Sequence, residues 1–106
     1  ESSMIRHFVH LKFRSDTPNE VKQAIYDDLA ALSGHIEGII DFQHRSNVSV
    51  ETPLVRGFLD MFWFDFRDLA VRDIYLEDAA HQAIGARIVA ALEGGADGVF
   101  VCDVEL

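Results

Sequence analysis

The chain has one cysteine, two prolines and no apolar run approaching the ~20 residues that span a bilayer. A lone Cys102 excludes an internal disulfide and fits a reducing compartment, and its place in an apolar strand pattern predicts a buried packing role. Basic residues are scarce, nine against 18 acidic ones, for a net charge of −9. Such a surface repels phosphate backbones, which argues against nucleic acid and anionic membranes as partners. The glycines form no phosphate-binding or dinucleotide pattern. The histidines show no H-x-H or H-x-x-x-H spacing and have no paired cysteines. No cofactor and no metal are therefore expected. Glu1-Ser2-Ser3 ahead of Met4 is expected to be a cloning remnant, and the domain to run from Met4 to Leu106. At 106 residues the chain suffices for one domain, expected to be soluble and cytoplasmic.

What is present is regular alternation. From Ile5 to Phe13, Ile5, His7, Val9, Leu11 and Phe13 share one face of a strand, and Arg6, Phe8, His10 and Lys12 the other. Thr17-Pro18-Asn19-Glu20 predicts a capping box, and the Val21, Ile25, Leu29, Leu32 stripe a helix stopped near Gly34. Ile39–His44 reads as a second strand, followed by a polar loop from Arg45 to Arg56. Phe58–Phe66 reads as a third, with Phe58, Asp60, Phe62, Phe64 and Phe66 on one face and Leu59, Met61, Trp63 and Asp65 on the other. A short helix over Leu69–Leu76 breaks at Glu77-Asp78, and Asp78 caps a longer helix carrying Ile84, Ile88 and Leu92. Gly94-Gly95 ends it, and Val99–Leu106 is the last strand.

The order β-α-β, β-α-β predicts an α+β, ferredoxin-like split βαβ-βαβ with a four-stranded antiparallel sheet and helices on one face. The uncovered face of the third strand is too apolar to stay wet. A homodimer through the sheet faces is expected, burying Leu59, Met61 and Trp63.

Two polar residues interrupt the buried faces. His7 and Asp60 fall on strands that neighbour each other in this topology and could meet, as an acid–base pair or as a hydrogen bond that only fixes register. His81 opens the last helix, where the dipole favours a neutral imidazole, and Tyr75 across the break could donate to an oxyanion. The plainer alternative makes Tyr75 core and His81 solvated. His7, Asp60 and His81 would make a two-histidine, one-carboxylate set of the kind that can hold a metal, without the ligand spacing that marks one. His10 belongs to the open face, and His35 and His44 are expected to be solvated.

Several segments resemble the stress-responsive dimeric α/β-barrel family. They are Ile5-Arg6-His7-Phe8-Val9-His10-Leu11-Lys12-Phe13, Gly57-Phe58-Leu59-Asp60, Tyr75-Leu76-Glu77-Asp78-Ala79-Ala80-His81 and the closing Gly98–Glu105 strand. The family includes plant stress-associated proteins and a polyketide cyclase. The resemblance implies a cavity between sheet and helices, Tyr75 and His81 as a catalytic pair, and His7 lining the same space. Asp60 stands where the cyclase-like pattern has a histidine, and Asp78-Ala79 replaces a His-Pro pair. The expected function is binding of, or acid–base action on, a small carbonyl or aromatic molecule, in a cavity of several hundred Å³ lined by His7, Asp60, Tyr75 and His81. The alternatives are a non-catalytic stress-associated dimer and a cofactor-free monooxygenase of similar fold.

Overall fold

The computed structural model describes residues 3–106, so Glu1 and Ser2 of the expected remnant lie outside the described residues. The strands are β1 (Ile5–Leu11), β2 (Ile39–Ser46), β3 (Asp60–Phe66) and β4 (Val99–Glu105). The helices are α1 (Asn19–Ala31), the single turn α2 (Thr52–Val55), α3 (Leu69–Glu77) and α4 (Ala79–Ala91). The sheet order is β2-β3-β1-β4, every pair antiparallel. This is the ferredoxin-like α+β fold, with β1 and β3 in the middle and the long helices on one face. No helix among the described residues is long and apolar enough to cross a membrane.

β1 follows its alternation residue for residue: Ile5, His7, Val9 and Leu11 are buried and the residues between them are half-buried. Ile25, Leu29 and Leu32 of the α1 stripe are buried as well, whereas Val21 is exposed and Tyr26 fills the layer. On β3, Phe62, Phe64 and Phe66 turn inward, and Phe64 stacks on Phe66 at 5.6 Å between ring centres. Phe42 and Tyr75 close against Phe64 at 4.8 and 4.9 Å, making an aromatic core. Gly38, at φ +99° before β2, is required by both conformation and space: a Cβ there would lie 2.5 Å from a Val71 methyl.

Some expectations need correction. The capping box does not form, because Pro18 itself holds the extended position ahead of α1 and no side chain caps it. The Thr17 hydroxyl instead donates to the Ala91 carbonyl. β3 starts at Asp60 and not at Phe58, so Leu59 precedes the strand and is 58% exposed. The polar loop after β2 contains the turn of α2. Cys102 is half-buried on the open face opposite Phe8, not in the core. His44 is not solvated: its ring stacks on Tyr26 at 4.2 Å.

The open face carries Phe8, His10, Met61, Trp63, Phe100 and Val104 among a few charges. Arg6 grips Asp65 with two hydrogen bonds of 2.8 and 3.1 Å. Arg6 and Arg45 each lie 5.4 Å from the Trp63 ring centre. Phe64 is the hub of the aromatic core, so Phe64→Ala is expected to cost about 3–5 kcal/mol in urea unfolding. Val50→Ala, in a loop where Val50 is 92% exposed, should stay within about 0.5 kcal/mol.

Candidate active site

His7 is 4% exposed on the buried face of the central strand β1, where an imidazole must find a hydrogen-bond partner. The antiparallel register sets His7 opposite Asp103 of β4, and both point to the helical side. His7 Nδ1 and Asp103 Oδ1 are 2.5 Å apart. The other carboxylate oxygen accepts from Arg72 Nη1 of α3 at 3.0 Å. A guanidinium, a carboxylate and an imidazole thus form one chain running inward. With Nδ1 engaged by Asp103, the ring is held so that no hydrogen bond engages Nε2 among the described residues.

α3 supplies more than Arg72. Asp68 caps it by accepting from the Val71 amide, which fixes the helix so that Val71 and Tyr75, four residues apart, both face the core. Tyr75 is 1% exposed, with its ring edge-on to His7 at 5.5 Å. At Asp78 the chain turns from α3 into α4, and the Asp78 carboxylate accepts from the His81 amide at 3.0 Å. That corner lays the His81 ring over Tyr75, 3.8 Å between centres. The Asp78 carboxylate also accepts from His35 Nε2 at 2.7 Å, which holds the corner from outside.

Electrostatics divides the roles. Burial, then the charge of His7, lower the proton affinity of His81, opposed by the Tyr75 and Leu76 carbonyls and by Asp78. His81 is therefore neutral at pH 7, and its Nδ1 is buried without a hydrogen-bond partner among the described residues. Burial, with Asp103 nearby, pushes the Tyr75 phenol up, so it stays a proton donor in hydrogen bonds. The three side chains meet at one cavity of about 190 Å³, whose other walls include Phe62, Ile88, Val99 and Val101. Gly85, one turn after His81, lines the same cavity, and a Cβ built there would meet nothing within 4 Å.

His7, Tyr75 and His81 are thus brought together, and Asp60 is not. Asp60 pairs in register with Leu11, four residues or about 13 Å along the strand from His7. Its carboxylate accepts from Lys22 Nζ at 3.1 Å. The expected His7–Asp60 pair is replaced by His7–Asp103, and the set His7, Asp60 and His81 is not assembled. The cavity is also smaller than the several hundred Å³ expected. Sequence reasoning missed Asp103 and Arg72. The signal for Asp103 was present, since it follows Val99 and Val101 on the inward face of a strand that borders the first. Arg72 carried no such mark.

The lowered His81 proton affinity has a consequence for stability. Below the ordinary imidazole range, near 6.5, the unfolded chain binds a proton that the folded one refuses, so stability falls as pH drops. His10, lowered by burial on the open face, acts in the same direction. Asp78, held below the usual carboxylate range by the His81 amide, adds its own loss only near pH 4. In a series of thermal midpoints from about pH 7.5 to 5, His81→Gln should show a shallower decline than wild type.

Three solved structures share this fold along nearly their whole length. A dimeric ferredoxin-like protein of unknown function from Jannaschia sp. CCS1 is 28% identical at a TM-score of 0.87, covering 97% of this chain and 99% of that one. An Arabidopsis thaliana protein is 22% identical at 0.84, covering 96% and 94%. A hydroxynitrile lyase from Passiflora edulis is 13% identical at 0.83, covering 100% and 95%. No curated protein matches by sequence. The profile described as the stress responsive A/B barrel domain matches residues 5–106, and on that match the chain belongs to the stress-responsive A/B barrel family.

Proposed function

We propose that the protein is an acid–base enzyme acting on a small carbonyl or aromatic molecule in the cavity between β1, β4 and helices α3 and α4. The observation that carries this reading is the convergence of the Arg72–Asp103–His7 chain with Tyr75 and His81 on one apolar-walled space. A neutral imidazole, a protonated phenol and a second imidazole held in orientation around an apolar-walled space are the groups that acid–base chemistry on a small molecule requires. Size limits the ligand. An apolar cavity of ~150 Å³ takes up benzene, so about 190 Å³ suits a single ring with a short substituent.

In the reaction, neutral His81 removes a proton from the carbon next to the carbonyl. The electron pair moves onto the carbonyl oxygen, and the Tyr75 hydroxyl donates a hydrogen bond to the developing oxyanion. His81 then returns the proton to a different position of the substrate, giving isomerisation, or to the alkoxide formed when the enolate closes on a second carbonyl. His7 is the positioning residue: it packs edge-on to Tyr75, and Asp103 and Arg72 hold its ring. The Passiflora fold neighbour is a hydroxynitrile lyase, which supports this fold as a host for enzyme chemistry.

The same reading includes a homodimer. The Jannaschia and Thermobifida fusca neighbours are described as dimeric. The open face here, with Met61 and Trp63 central and exposed Leu59 at its margin, is the surface we propose for the contact. Light scattering should give twice the chain mass of 11.9 kDa. Trp63→Glu should give the monomer, and a monomeric wild type at micromolar concentration would overturn the assignment.

For the chemistry, deuterium incorporation next to the carbonyl of acetophenone in D2O, followed by NMR, should exceed the buffer rate. His81→Ala should lower it by about 10²-fold or more. Asp103→Asn should lower it less and move the pH profile, because the His7 ring loses its fixed orientation. Filling the cavity with Gly85→Leu should abolish both exchange and ligand-induced thermal stabilisation. Absence of exchange and of thermal shift with any single-ring ketone or phenol would sink the enzyme reading.

A further inference from the structure

The sheet face assigned above to the homodimer is graded in charge. Register sets Asp41, Asp65 and Arg6 in one row across β2, β3 and β1. The next row on that face, Gln43, Trp63 and Phe8, carries no charge, and the one after it is Arg45, Met61 and His10. Arg6 holds Asp65 through two hydrogen bonds, which leaves Asp41 as the unmatched acid of the first row. Arg45 is the unmatched base of the third.

Both residues are exposed on edge strand β2. Four residues, about 13 Å of strand, keep them from reaching each other. Each spends its hydrogen bonds on neutral groups instead. Asp41 accepts from the Phe42 amide and the Gln43 side chain, and Arg45 donates to Gln43 and to the His44 carbonyl. Among the described residues no ion pair includes either one. An acid and a base placed symmetrically about a neutral residue complement themselves under a two-fold rotation.

Covering this face takes water from both charges, so each then needs an opposite charge. The direction of the two-fold axis decides whether it finds one. An axis along the strands carries β2 of one copy onto β4 of the other. Asp41 would then meet the partner's Val104, and Arg45 the partner's Phe100, both without a counter-charge. An axis across the strands, through the row of Gln43 and Trp63, returns β2 onto β2 with its direction reversed. Asp41 then faces the partner's Arg45, and Arg45 the partner's Asp41. Packed sheets lie about 10 Å apart, a gap that an arginine and an aspartate span together.

We propose that two reciprocal Asp41–Arg45 pairs, formed between copies about an axis through the Trp63 row, orient the homodimer and select a second copy of this chain as the partner. This arrangement rests on the homodimer reading and specifies its geometry. Sedimentation equilibrium at low ionic strength tests it. Asp41→Arg and Arg45→Asp each set like charges at both contacts, and each should raise the dimer Kd about tenfold or more. Mixed in equal amounts, the two variants form a heterodimer in which both contacts again join opposite charges. Native mass spectrometry with one variant 15N-labelled should show that heterodimer in large excess over either homodimer. The double variant Asp41→Arg/Arg45→Asp should return to the wild-type Kd. Single variants with an unchanged Kd, or a mixture holding no more heterodimer than chance pairing gives, would overturn the arrangement and leave the dimer itself in place. A monomeric wild type would instead remove the homodimer reading on which the arrangement depends.

Discussion

A buried imidazole in the middle of a sheet needs a partner, and the pairing of β1 with β4 is what provides one. Opposite His7 stands Asp103, and both side chains face the helices only in the observed register. A slip of one residue would turn Asp103 to the open face and bring Cys102 or Val104 to His7 instead. The register of an edge strand is thus tied to the fate of one buried polar group. The cost of leaving His7 unpaired adds to the hydrophobic term in selecting the alignment. Arg72 extends the tie to α3, so strand pairing and helix docking answer to the same carboxylate.

The aromatic core sets the depth at which this chemistry sits. Phe62, Phe64 and Phe66 form a floor on β3, and Tyr75 rests on Phe64 and Phe66. Tyr75 therefore cannot retreat from His7. The Asp78 corner, following directly on α3 and capping α4, then brings His81 down onto Tyr75. Each ring is positioned by an element that the preceding one supports, and their low polarity biases both Tyr75 and His81 toward neutral forms.

Most of the fold was legible because period-two and helical spacings are strong local signals in this chain. The alternation of β1 and the Asp78 cap needed no tertiary information. Three of the residues that meet in the cavity, His7, Tyr75 and His81, were found from polar interruptions and family resemblance. The partner of His7 was not. Two strands flank β1, each with an inward-facing acid, and the choice between Asp60 and Asp103 depends on register, which no single strand encodes. The edges of elements were read less well for a related reason. Pro18 satisfied the geometry that Thr17 was expected to supply, and Leu59 was drawn into a strand that begins one residue later, at Asp60.

Gly85 separates two properties that most sites entangle. The groups that handle protons come from β1, β4, α3 and the first turn of α4, whereas the room available is set one turn further on by a residue that has no side chain. Nothing in the packing requires glycine there. Divergence at that one position could therefore change which molecules enter while leaving the proton-transfer apparatus untouched, so that substrate choice and catalytic capacity evolve as separate traits on one scaffold.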